Sequence, residues 1–125
     1  VLRKLLSLPL VSESVADRMV RIAEIEIYPE FQKEFTAFLK EEAAASVNLE
    51  PGVIAIFPMY QKENPTQIRL VEVYASHAAY ESHLKTPHFQ LYKTSTIRMI
   101  KSLRLIDMES IDPETISLIF QKIDR

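Results

Sequence analysis

The sequence predicts an α+β domain: a four-stranded antiparallel sheet in split βαβ order, helices on one face, and an extra helix at the C-terminus. Three observations carry this. Apolar periods of two and of 3.6 residues alternate along the chain in the order β, α, β, β, α(α), β. The strands carry apolar residues in both phases. Glu50-Pro51-Gly52, Asn64-Pro65, Thr86-Pro87 and Asp112-Pro113 each break one period and open another.

Residues 19–28 read as the first strand, because Ile25 and Ile27 alternate with Glu24 and Glu26. Pro29 stops it and suits the first turn of a helix, where a missing N–H costs nothing. Phe31, Phe35, Phe38 and Leu39 then recur at helical spacing over roughly 30–47. Glu34, Lys40, Glu41 and Glu42 are assigned to the solvent side, and Ala43, Ala44 and Ala45 extend the helix. After the break at Glu50-Pro51-Gly52, Val53–Tyr60 is a continuous apolar run, the pattern of a strand buried on both faces. Pro58 argues for an edge position or a bulge. Gln61–Thr66 is a hairpin loop and Ile68–Ala75 the third strand. Ser76 can cap a helix over 77–85. Thr86 caps the next, with Pro87 at its first position, running to about Met99. Ser102–Met108 is the fourth strand, and Asp112-Pro113 starts a last helix over 113–124.

This order is the ferredoxin-like, split βαβ arrangement. Right-handed crossovers place both helical layers on one face of the sheet. The other face keeps apolar residues: Val20 and Ile22 stand out of phase with Ala23 and Ile25, and Val71 and Val73 with Ile68 and Leu70. The same face of a second copy covers it most simply, in a two-fold dimer. The tail helix and the leucine-rich N-terminus are competing covers. The chain divides into an N-terminal extension (1–18), the α+β domain (19–108) and a helical tail (109–125).

Composition narrows the function. With 125 residues, 47% of them hydrophobic, the chain can bury one sizeable core. A net charge of −2 and scattered basic residues argue against nucleic acid or an anionic membrane as partner. The absence of cysteine excludes disulfides, thiolate nucleophiles and thiolate-bound metals. A single glycine, Gly52, excludes glycine-rich phosphate loops. No apolar run is long enough to span a bilayer. Arg3-Lys4, the Leu5–Val11 run and Ser14-Val15-Ala16 loosely mimic a signal peptide, interrupted by Pro9. The expectation is therefore a cytoplasmic protein, or an exported one if that segment is a signal remnant. A chain opening on Val1 implies processing or trimming.

Candidate chemistry concentrates in Glu72–Phe89, EVYASHAAYESHLKTPHF, which holds all three histidines. His77 reads as a solvated residue of a helix start. His83 and His88 stand five apart across a helix break. That is not the spacing of a zinc helix, and with no third ligand evident metal is disfavoured. His88 stands just after Pro87, at a helix start. The plainer reading of His83 is a core-edge residue bonded to backbone. Glu72 stands in an apolar strand in phase with Leu70 and Tyr74. A carboxylate there is either paired or pKa-shifted, with Arg69, Arg104 and His83 as candidate partners. Tyr28, Tyr60, Tyr74, Tyr80 and Tyr92 gather near strand ends, as core filling or as the walls of a site for a flat organic molecule.

The stretch from Glu72 to Phe89 resembles the antibiotic biosynthesis monooxygenase family, small ferredoxin-like proteins that pair into a dimeric α/β barrel. The resemblance lies in Glu72 and Tyr74 at a strand end, Ala78-Ala79 in the helix after it, His83, and Thr86-Pro87-His88-Phe89, with Glu50-Pro51-Gly52 as a second motif. It spans roughly residues 19–108. It implies oxygenation of a small aromatic quinol or anthrone by O₂, without metal, flavin or haem, in a homodimer. It also implies roles: His83 as base or orienting group, Glu72 and Tyr74 beside it, and His88, Tyr60, Tyr80 and Phe89 around the substrate. Many relatives carry Trp where Tyr74 stands. The first strand has no Asn and the chain no Trp, which argues against the haem-degrading branch of the fold. Two other readings stand beside it: a non-catalytic barrel that binds a small molecule, and an isomerase of a small carbonyl compound. An apolar chamber reached by His83 and Tyr74 separates the first reading from these.

Overall fold

The structure, a computed structural model, describes residues 17–124. The N-terminal signal-like segment and its leucines lie outside that range. Strand β1 (Met19–Ile27) leads through a 3₁₀ turn at Pro29–Phe31 into helix α1 (Gln32–Leu49). Hairpin strands β2 (Val53–Tyr60) and β3 (Gln67–Tyr74) follow. Then come helices α2 (His77–Leu84) and α3 (Pro87–Thr96), a second 3₁₀ turn, strand β4 (Ile100–Met108) and the tail helix α4 (Thr115–Ile123). The sheet is open, its order is β2-β3-β1-β4, and all its pairs are antiparallel. This is the ferredoxin-like α+β fold that the alternation predicts.

Local chemistry sets the boundaries. The Ser76 hydroxyl accepts the Ala79 N–H at 3.1 Å, and the Thr86 hydroxyl accepts that of Phe89 at 3.3 Å, so each short helix has a capped start. Helix α4 begins two residues later than the Asp112-Pro113 signal suggests. The Asp112 carboxylate first accepts from the Glu114 N–H (3.1 Å) and the Thr115 hydroxyl (2.8 Å), holding a turn before the helix. Strand β4 starts two residues early, because a bulge after Glu26 lets Ile27 pair with Ile100.

On the helix-covered face, cross-strand rows run Tyr60–Ile68–Ile25–Leu103, Pro58–Leu70–Ala23–Leu105 and Ile56–Glu72–Arg21–Asp107. Ile25, Ile27, Ile68 and Leu70 pack under Phe35 and Leu39 of α1 and under Met99. Phe35 is fully buried, and truncating such a side chain to Ala costs about 3–5 kcal/mol.

The opposite face is of two kinds. The rows Ala55–Val73–Val20–Met108 and Phe57–Val71–Ile22–Ile106 are apolar. The next row, Met59–Arg69–Glu24–Arg104, is ionic, with Glu24 lying 3.7 Å from each arginine. Arg69 and Arg104 thus pair with Glu24 and not with Glu72, because they point away from the helices. Helix α4 lies over the apolar rows, with Ile116 and Phe120 half-buried and Leu118 and Ile123 exposed.

The single glycine has a packing reason. A Cβ built on Gly52 would stand 2.6 Å from the Ala79 Cβ, so only glycine lets α2 settle against this turn. That contact, with the bond from the Ala75 N–H to the Gly52 carbonyl (2.8 Å), fixes the start of α2 and hence the reach of His83.

Candidate active site

Two hollows stand out in the described structure. One, of about 880 Å³, is a trough between α4 and the apolar rows of the far face, lined by Val20, Ile22, Val71 and Val73. The other, of about 360 Å³, lies between the helix-covered face and α2–α3. Although smaller, the second collects the ionisable side chains. Its floor is Ala23, Ile25 and Leu70, and Phe89 and Tyr92 stand over it. Glu72, Tyr74, Tyr80, His83, Arg21 and Glu42 line it as well.

The strand part of the site follows from register. Glu72 and Tyr74 point the same way, two residues apart, and the Tyr74 hydroxyl donates to Glu72 Oε1 at 2.5 Å. Arg21 is the cross-strand neighbour of Glu72. It bonds Asp107 at 3.0 Å and stacks 4.5 Å above the Tyr80 ring, which meets Tyr74 edge-on at 5.2 Å. Burial holds the Glu72 carboxyl above the usual carboxylate range, against the opposing pull of the Tyr74 hydrogen bond and the Arg21 charge. Burial and the adjacent Glu72 also push the Tyr74 phenol far up, so it remains a hydrogen-bond donor at any ordinary pH.

The helical part is a chain of imidazoles and carboxylates. His83 is 2% exposed, and its two ring nitrogens face two carboxylates: Nδ1 lies 2.9 Å from Glu50 Oε2 and Nε2 lies 3.3 Å from Glu42 Oε1. Ser46 Oγ donates to the same Glu42 oxygen at 2.9 Å, and His88 Nε2 meets Glu50 Oε2 at 2.6 Å. Burial alone lowers the His83 pKa. The bonds to Glu42 and Glu50 outweigh it, and the imidazole sits above its ordinary value. The ring also packs on Tyr74 (5.4 Å) and Phe89 (5.0 Å).

Of the residues expected from sequence, Glu72, Tyr74, Tyr80, His83 and Phe89 meet around one chamber. His88 lies behind the wall on Glu50. Tyr60 stands at the far end of β2, 58% exposed and apart from the chamber. His77 is at the surface, 3.0 Å from Glu81. Instead of a backbone carbonyl, His83 finds two carboxylates, Glu42 and the Glu50 of the turn after α1. Glu42, assigned to solvent, is 4% exposed. Its signal was positional: Phe35, Leu39, Glu42 and Ser46 follow one another at helical spacing down a single buried stripe. Glu50 and Arg21 carried no comparable signal.

The chain belongs to the antibiotic biosynthesis monooxygenase family, whose model matches residues 18–94. Among solved structures it is similar to a Bacteroides thetaiotaomicron protein provisionally named an antibiotic biosynthesis monooxygenase. Identity is 43% and the TM-score 0.79, over 80% of this chain and 95% of that one. A Lactobacillus acidophilus protein provisionally named a monooxygenase matches at 28% identity and TM-score 0.74, over 78% of this chain but only 46% of its own length. A Nitrosomonas europaea protein at 16% identity and TM-score 0.73 shares the fold. No curated protein matches. Among the described residues, no helix is long and apolar enough to cross a membrane.

Proposed function

We propose that this protein oxygenates a small aromatic substrate of the quinol or anthrone type with O₂, and that Glu72 is its base. The observation that carries the reading is the Glu72–Tyr74 pair inside an apolar chamber of about 360 Å³, near the lower end of the ~300–1,000 Å³ usual for small-molecule sites. A carboxyl held above its usual range is a stronger base toward a phenol or an acidic ring C–H than an ordinary one. Tyr74, fixed as a donor, and Arg21, fixed between two carboxylates, supply positive potential where the substrate anion forms.

Glu72 takes the proton from the substrate. The anion gives one electron to O₂, and the resulting superoxide and substrate radical join through a new C–O bond. Loss of the hydrogen remaining on that carbon with cleavage of the O–O bond releases water, for which Glu72 returns its proton. One oxygen atom stays as a carbonyl and the other leaves in water, so the substrate supplies both electron pairs. His83 is assigned an orienting role. With both nitrogens directed at carboxylates it has no free lone pair for a substrate, and its ring holds Tyr74 and Phe89 in place. The reading as base thus passes to Glu72.

The working unit in this proposal is a homodimer closed through the far sheet face into an α/β barrel. The apolar row ending in Phe57, 61% exposed, supports this. So does the Lactobacillus acidophilus relative, which this chain matches over less than half its length, room for a second such unit.

The test is oxygen uptake with a panel of anthrones, naphthols and hydroquinones, using ¹⁸O₂ to trace the product. One labelled oxygen per product and a drop of about 10²–10⁴-fold in Glu72→Gln are expected. Uptake no greater than without protein across the panel, or full activity in Glu72→Gln, would overturn the proposal and leave a binding barrel.

A further inference from the structure

We propose that Glu50, His83 and His88 form a binding site for one divalent first-row metal ion of the zinc type, which ties α1, α2 and α3 together behind the chamber wall. The ion is given no step in the oxygen chemistry, and the inference stands apart from that reading.

Each ligand comes from a different element: Glu50 from the C-terminal cap of α1, His83 from the last turn of α2, His88 from the first turn of α3. One ligand atom of each lies within 4.8 Å of the others. The donors are two imidazole nitrogens and a carboxylate oxygen, a set that suits zinc and its neighbours, whereas calcium and magnesium prefer oxygen alone.

The surroundings suit a metal ligand. His83 turns Nε2 toward Glu42, and Glu42 is itself held by Ser46. A carboxylate on the far nitrogen of a ligating histidine fixes the tautomer that leaves the near nitrogen free to bind metal. Pro87 at the first helical position and the Thr86 cap fix the backbone next to His88.

The distances point the same way. One oxygen, Glu50 Oε2, faces Nδ1 of His83 and Nε2 of His88 at 2.9 and 2.6 Å. A divalent ion would meet these same three ligand atoms at once, while His83 Nε2 stays turned toward Glu42. A tetrahedral ion with bonds of about 2.0–2.1 Å spaces its ligands some 3.3 Å apart, so Glu50 would draw back by about 0.4 Å from His83 and about 0.7 Å from His88.

The experiment is titration of chelator-stripped full-length protein with Zn²⁺ by calorimetry and with Co²⁺ by visible absorption. Expected are one ion per chain and a tetrahedral Co²⁺ spectrum. Affinity should fall at least about 100-fold in His88→Ala and in Glu50→Gln, and by about 10–100-fold with a shifted Co²⁺ spectrum in Glu42→Gln. His77→Ala, at the exposed Glu81 pair, should bind as wild type. His88 is 19% exposed against 2% for His83, so its variant folds more safely and His83→Ala is not needed. No saturable uptake, or uptake that persists in both His88→Ala and Glu50→Gln, overturns the site.

Discussion

Replacing His83 by Ala tests whether the helical layer is held by a buried ionic network or by apolar packing alone. The substitution removes a ring that is 2% exposed and strands two carboxylates, Glu42 at 4% and Glu50 at 13% side-chain exposure. The two are not stranded equally. Glu50 keeps His88 at 2.6 Å, whereas Glu42 keeps only the Ser46 hydroxyl at 2.9 Å. Breaking a buried pair by removing one partner costs about 3–5 kcal/mol, mostly as the penalty on the charge left behind. Against a total stability of about 5–15 kcal/mol this is a large fraction. In a chain of this size it lowers Tm by about 10–20 °C. The assay is urea unfolding followed by circular dichroism, with chelator present so that no metal contributes. The second arm is the double variant with Glu42→Gln. Removing the stranded charge should recover about 1–3 kcal/mol, a coupling that independent sites would not show. A loss under about 1 kcal/mol, or a Glu42→Gln effect that merely adds to it, would refute the network.

Three further outcomes follow from the geometry. The raised Glu72 pKa means the folded state binds more protons than the unfolded one between the ordinary value, 4.5, and the higher folded value. Over that interval stability falls as pH rises, so Glu72→Gln should be more stable than wild type at neutral pH and flatten that slope, measured by unfolding at stepped pH. Gly52→Ala drives a methyl to 2.6 Å from the Ala79 Cβ and should cost about 1–3 kcal/mol as α2 shifts; wild-type stability and an unmoved α2 in its crystal structure would contradict the packing reason for this glycine. Phe57→Asp puts a charge on an exposed position of the apolar far-face row and should yield a folded monomer by light scattering, whereas an unchanged dimer would place the interface elsewhere.

The fold was legible because its signals are local. Pro29, Ser76, Thr86-Pro87 and the Ile25/Ile27 alternation each act within a few residues, and the structure differs from them at element bounds: a bulge after Glu26, a turn at Asp112 and 3₁₀ turns beside two helices. The far face was half legible. Apolar residues in both phases announced Val20, Ile22, Val71 and Val73, but the ionic row of Glu24, Arg69 and Arg104 depends on register, which no single strand displays. For the same reason Arg21 escaped notice as the neighbour of Glu72.

The site was legible in its strand residues and misread in its helix. Glu42 was assigned to solvent together with Glu34, Lys40 and Glu41, yet its phase with Phe35 and Leu39 puts it on the buried stripe. A buried carboxylate in that position needs a hydrogen-bonding partner, and among the described residues the His83 ring reaches it, 41 residues along the chain and seen only once α2 folds back on the turn at Gly52. That pairing reshapes the proposed chemistry. An imidazole whose two nitrogens both serve carboxylates is fixed in place and cannot also take a proton from a substrate. The proton then goes to a group whose partners are a phenol and a guanidinium, neither of which releases a proton near neutrality. Among the residues lining the chamber, Glu72 answers that description, with its pKa held up by the apolar floor of Ala23, Ile25 and Leu70.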